Sequence, residues 1–129
     1  MSNLEIIRDV YGLFAGKELD RLLELVDTEC VITQDKDLPW GGRHEGLDGV
    51  MTFAAAIGGT IQSTLTSDAM FEAGDQVINF GRSRGTVLAT GAAFDVPFTH
   101  VWTIHNSKVT AAEFFIDSSA ALRSLAQKP

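Results

Sequence analysis

The chain is poor in the features that would point to several large classes of protein. It has one cysteine, Cys30, so no internal disulfide can form, and that thiol lies in an apolar run where a buried, inert state is expected. Ten lysines and arginines face seventeen acidic residues, a net charge of −7, and the basic residues form no cluster. Nucleic acid and anionic membrane are therefore not expected as partners, because both are recognised through concentrated positive charge. No uninterrupted apolar run approaches the length of a membrane span, and the opening MSNLEIIRDV carries charges where a secretory signal needs an apolar core. A cytoplasmic location is the expectation. The three histidines and the cysteine show no metal-ligand spacing. No GxSxG elbow, P-loop or GxGxxG follows a strand pattern, and GRSRG is too short to cradle a phosphate. Neither a metal nor a cofactor is expected.

What is present suits an ordinary globular chain: 129 residues, 45% hydrophobic and 21% charged, enough for one domain over residues 1–129 with a substantial core. Ser2 and Glu5 fit a capping box, and Leu4, Ile7, Tyr11 and Phe14 recur at helical spacing until Gly16. A short second helix carries Leu19, Leu22, Leu23 and Val26. CVIT, residues 30–33, reads as a short strand, and QDKDLPWGGRHEG as a loop. LDGVMTFAAAI forms a third helix with Leu47, Val50, Met51, Ala54 and Ile57 inward, stopped by Gly58 and Gly59.

After residue 60 the pattern turns to strands: residues 61–72, a turn at 73–75, a long strand from Gln76, a turn at TGAA, FDVPFTHVWTIH, a tight Asn106-Ser107 hairpin, and KVTAAEFFI. Asp117 and Ser118 can cap a last helix. Helices followed by an antiparallel meander predict an α+β fold. Gly81, Gly85 and Pro97 are places where long strands can bend around the helices to leave a cone with a mouth.

One strand stands out. In FTHVWTIH the period of two puts Phe98, His100, Trp102 and Ile104 on one face, so an ionisable ring sits in the middle of an apolar surface. His100 is either an acid, base or hydrogen-bond donor facing a pocket, or a core histidine satisfied by the backbone or buried water.

The spacing of Tyr11, Phe14 and Gly16, then LPWGGRHEG, FTHVWTI and the terminal FFID, resembles the SnoaL-like branch of the NTF2-like superfamily, which includes polyketide cyclases and relatives of ketosteroid isomerase. The resemblance covers nearly the whole chain. It implies a conical barrel, with a curved antiparallel sheet wrapped around N-terminal helices, an apolar pocket without metal, and a homodimer through the outer sheet face. It does not fix a reaction, since the superfamily holds isomerases, cyclases, dehydratases, epoxide hydrolases and binding modules. In ketosteroid isomerase an aspartate base works with an oxyanion hole of a tyrosine and a protonated aspartic acid. The likeness places His100 at that protonated acid and Tyr11 near the tyrosine, but Gln34 falls at the base and cannot abstract a proton. Scytalone dehydratase pairs a strand histidine with an aspartate late in the first helix, where this chain has Ala15. The sequence departs from both enzymes at the base.

Asp35 and Asp37, on the loop expected at the mouth of the cone, are candidates for a base whose pKa is raised by apolar neighbours, or are solvated loop residues. Asp117 is a candidate acid–base group or a helix cap. Tyr11 can donate to a ligand oxyanion or be a core-edge tyrosine. Trp40 and His44 form a lid or anchor their loop. Arg82 and Arg84 are a solvated or dimer-facing pair, or an anion contact. Phe14, Val31, Met51, Phe80, Phe98, Trp102, Phe114 and Ile116 are expected to wall a pocket for a small, mostly apolar, oxygen-bearing molecule. The functions in view are cofactor-free isomerisation, cyclisation or dehydration, or ligand or protein binding without turnover.

Overall fold

The computed structural model describes residues 1–126. Helix α1 (Asn3–Ala15) starts where Ser2 Oγ accepts the Glu5 amide at 3.1 Å, as the capping pattern predicts. Its buried residues are Ile6, Ile7 and Val10. Helix α2 (Leu19–Leu23) is shorter than expected. Val26 does not belong to it; it opens β1 (Val26–Gln34), where it pairs with Val109, and the Val109 amide donates to Leu25 O at 2.8 Å. A β-branched residue with a ready strand partner gains more from the ladder than from extending a five-residue helix.

Within the segment read as a loop lies a short strand, β2 (Gly42–Glu45), antiparallel to β1. Helix α3 (Gly46–Thr60) runs through Gly58 and Gly59 to Thr60, whose hydroxyl donates to Ala56 O at 2.8 Å. Then come β3 (Ile61–Ala73), β4 (Gln76–Val87), β5 (Ala93–His105), β6 (Lys108–Ile116) and α4 (Ser118–Ala126). The β5–β6 turn places both Asn106 and Ser107 at positive φ (52° and 63°), the turn that matches strand twist.

The six strands form one open sheet in the order β2-β1-β6-β5-β4-β3, a mixed α+β architecture. The expected meander accounts for β3 to β6. β1 is an exception, joining β6 in parallel, so the sheet is not wholly antiparallel. Such pairing needs a long crossover, and everything from β2 to β5 supplies it. Helix α3 packs on β1 and β2, and α1 on β3 and β4, which places the core on the concave face.

β3 curls tightly over β4, with a register shift between Ser67 and Ala69. A Cβ at Gly81 would lie 2.0 Å from Thr66 O, and one at Gly85 1.8 Å from Gln62 O. Only glycine allows backbone that close, and the register shift in β3 begins opposite Gly81. Among the described residues no helix is long and apolar enough to cross a membrane.

Candidate functional site

The concave face encloses a cavity of about 130 Å³. An apolar cavity of about that size takes a benzene-sized ring. Its shape follows from strand parity. On β4 the inward residues are Val77, Asn79, Gly81 and Ser83, while Phe80, Arg82 and Arg84 point outward. Small inward residues leave space in front of the strand. Phe14 and Leu65 line the cavity yet are 36% and 37% exposed, so it opens to solvent past them.

The polar centre is built from α1 and β5. Tyr11 on α1 and His100 on β5 meet with 2.6 Å between Oη and Nδ1, and Trp102 Nε1–H donates to the same tyrosine oxygen at 2.9 Å. The His100 ring stacks on Phe98, centroids 4.1 Å apart, and lies 4.6 Å from Phe114. Asn79, paired with His100 across β4 and β5, is 1% exposed and lies against the Tyr11 oxygen, although neither of its amide atoms meets hydrogen-bond geometry.

Donor and acceptor chemistry fixes the direction of the Trp102 bond and ties that of the His100 bond to the imidazole tautomer. An indole N–H can only donate, so the Tyr11 oxygen accepts from Trp102. The Tyr11 hydroxyl proton is left to donate, and a bare His100 Nδ1 at 2.6 Å can accept it, whereas a protonated Nδ1 would donate to the same oxygen. A neutral imidazole with a bare Nδ1 carries its proton on Nε2. No protein group among the described residues meets that Nε2. Burial drives the His100 pKa down to about 3, so the ring is neutral near pH 7. Burial likewise pushes the Tyr11 phenol up to about 12, against the opposing pull of Asn79 and Trp102 at its oxygen. In the tautomer with a bare Nδ1, the neutral ring offers its Nε2–H to the cavity.

The predicted residues divide clearly. Phe14, Trp40, Phe98, Trp102, Phe114 and Ile116 line the cavity with Tyr11 and His100. Three expected wall residues do not. Phe80 is 42% exposed on the outer face, against Phe71, because it has the opposite parity to Gly81. Val31 likewise alternates with Cys30 and Ile32, which take the inward positions. Met51 is 38% exposed because α3 turns Val50, Phe53, Ala54 and Ile57 inward, an i, i+3, i+4, i+7 stripe that leaves it outside.

The three carboxylates lie outside the cavity. Asp35 is solvated, and the Asp37 backbone N–H, then the Ser118 hydroxyl, hold its carboxyl below the usual range, opposite to the rise expected of a buried base. Asp37 is exposed on the same loop. Asp117 Oδ1 accepts the Ala120 amide at 3.0 Å and so caps α4. No Asp, Glu, Lys or Arg is among the lining residues. Burial, then the Asp27 charge, raises the Cys30 thiol to about 11, so it is inert there.

His44 donates from Nε2 to the carbonyls of Trp40 and Gly41, both at 3.1 Å, and anchors the loop. Arg82 and Arg84 share Asp95 on the surface, at 2.6 and 3.2 Å. Sequence reasoning missed Asn79 and the use of Gln34, whose Oε1 accepts Trp40 Nε1–H at 2.8 Å. The signal for both was strand parity.

Residues 7–112 match the model of the SnoaL-like domain. The chain belongs to the SnoaL-like family. No match was found among curated proteins. Solved structures, several of them NTF2-like proteins, share the fold at low identity. An NTF2-like protein of unknown function from Burkholderia pseudomallei is 24% identical, with a TM-score of 0.89 over 98% of this chain and 100% of that one. TerC, co-crystallised with polyporic acid, is 24% identical, with a TM-score of 0.88 over 97% and 98%. A Catenulispora acidiphila protein with a ketosteroid isomerase-like fold, in complex with trimethylamine, is 16% identical, with a TM-score of 0.81 over all of both chains.

Burial of the polar centre of this SnoaL-like chain makes its stability depend on pH. The unfolded chain takes up a proton at His100 near pH 6.5, whereas the folded protein refuses it until about 3. Stability from this residue is therefore full above pH 6.5 and lost as pH falls toward 3. For Tyr11 the contribution is full below pH 10.0 and lost as pH rises toward 12. Urea denaturation between pH 6.5 and 3 is expected to show a loss that shrinks in His100→Phe, by at most about 1.4 kcal/mol per pH unit. Parallel stability curves for variant and wild type would contradict the buried neutral histidine.

Proposed function

We propose that the chain binds a small, neutral, largely apolar molecule and holds one of its oxygens on the His100 Nε2–H. The observation that carries this reading is the Trp102–Tyr11–His100 chain, in which a Tyr11 hydroxyl donating to Nδ1 leaves the Nε2–H as a donor toward an uncharged, largely apolar cavity. A carbonyl oxygen is the best match: a neutral N–H can polarise it without first releasing a proton to solvent. An anion would find no cation in the lining, and a cation no carboxylate. The small molecules bound by TerC and by the Catenulispora protein support a ligand-binding role for this fold.

A second reading, turnover, is favoured by the 2.6 Å Tyr11–His100 contact. Through it a carbonyl oxygen can take the Nε2 proton while Nδ1 takes the Tyr11 proton, leaving a tyrosinate beside the Trp102 N–H. Isomerisation, cyclisation or dehydration next to the carbonyl could use that relay. The proton leaving carbon would have to go to the substrate or to water, because the lining holds no carboxylate.

The outer sheet face supports homodimer formation. Phe80, Thr99 and Phe115 are register neighbours across β4, β5 and β6, and Ile78 and Val101 pair beside them. Phe71, Phe80 and Phe115 are 44%, 42% and 52% exposed, an apolar patch of the kind that two copies bury isologously.

Two measurements test these proposals. Trp40 and Trp102 face the cavity, so their fluorescence reports binding. Wild type should prefer acetophenone over ethylbenzene, and His100→Ala, still folded, should lose roughly fivefold to tenfold of that preference, the value of one hydrogen bond. An unchanged preference would remove His100 from recognition. Sedimentation at micromolar concentration should give a dimer, and Phe115→Lys a monomer; a wild-type species of 13.9 kDa throughout would contradict the dimer.

A further inference from the structure

Beside His100, the cavity wall holds one side chain whose hydrogen-bonding roles its partner fixes outright. Gln34 ends β1 on the inward face and lines the same cavity. Its Oε1 accepts the Trp40 Nε1–H at 2.8 Å, and Trp40 is 3% exposed. Because an indole can only donate, the amide group facing it must be the oxygen, and the flip of the Gln34 side chain is set. The two N–H bonds of Gln34 Nε2 then find no protein acceptor among the described residues. Trp40 does for Gln34 what Tyr11 does for His100 in the proposed tautomer: each occupies the acceptor atom and leaves the donor unspent.

The sheet places the two donors in one row. Thr33 pairs with Glu113 in the parallel ladder, so Gln34 comes beside Phe114, and Phe114 pairs with His100 across β5 and β6. Neighbouring strands are about 4.8 Å apart, which puts the backbones of Gln34 and His100 about 10 Å apart with the Phe114 ring between them. The wall between the donors is apolar and the lining is uncharged.

We infer that Gln34 is the second recognition point of the cavity, and that its ligand is a neutral, ring-sized molecule with two acceptor oxygens at opposite ends of an apolar core. This inference rests on the proposed role of His100 and adds a specificity that His100 alone does not give. Gln34 stands at the position that the family resemblance gave to a base. In this chain it serves as a donor, which makes the cavity a two-oxygen receptor.

The test uses two ring-sized probes of nearly equal shape, 1,4-cyclohexanedione with two carbonyl oxygens and 4-methylcyclohexanone with one. Wild type is expected to bind the diketone about tenfold more tightly. Gln34→Glu keeps an acceptor for the Trp40 indole and replaces the amide donor by a carboxylate, so the preference should fall to about one. Gln34→Met, which removes both amide atoms, provides the same comparison should the glutamate variant fail to fold. A tenfold preference that survives in these variants overturns the inference, and so does its absence in wild type. Either result would assign the Gln34 amide to the groove it also borders, beside Asp35 and Ser118, and would leave the His100 reading intact. Failure of wild type to bind either probe overturns that reading, and this inference with it.

Discussion

The hydroxyl of Tyr11 holds the functional face of this protein together. It accepts the Trp102 indole N–H and meets His100 Nδ1 at 2.6 Å, and in doing so fastens α1 to β5. Leaving one such buried group without a partner costs about 1–3 kcal/mol, so the three side chains stand or fall as a unit. Each also depends on apolar packing for its position: Phe98 and Phe114 against the imidazole, and the edge of the Trp102 ring against Tyr11. The packing removes water, and the loss of water makes the histidine neutral and the phenol hard to ionise. One structural constraint therefore sets both the ligand chemistry and the pH response.

The cavity exists because the sheet bends without filling its own concave side. Gly81 and Gly85 let β3 cross close to β4, and Gly81 and Ser83 put little volume in front of the strand. The larger aromatic of that strand, Phe80, faces outward, where it contributes to the surface proposed for a second copy. Curvature, cavity and outer patch are thus three results of the alternation in β4. The opposite wall comes from α3 and from Trp40, which the loop carries inward and His44 anchors by its neighbouring carbonyls.

Much of this was legible in the residues, and the failures have physical causes. The Ser2 cap, the Asn106-Ser107 turn and the parity of FTHVWTIH are local features, and local rules placed them correctly. The parallel entry of β1 beside β6 depends on pairing between residues some eighty positions apart, which no local pattern encodes. Phe80 and Met51 were assigned to the wall by size and hydrophobicity, yet the strand and helix periods turn them to solvent. The SnoaL-like resemblance identified the region around Gln34 but not its use, because the family's acid–base pattern drew notice to nearby aspartates. Those aspartates keep their water: Asp35 in a turn, Asp117 in a cap.

A donor histidine with a bare Nδ1 is a statement about one proton, and nitrogen-15 spectroscopy can locate it. A long-range proton–nitrogen correlation spectrum of the labelled protein, with His100 assigned by comparison with His100→Phe, distinguishes the two tautomers from the imidazolium. The expected result is a neutral ring protonated on Nε2, unchanged from neutral to mildly acidic pH. A proton on Nδ1, or an imidazolium at His100 within that range, would contradict it.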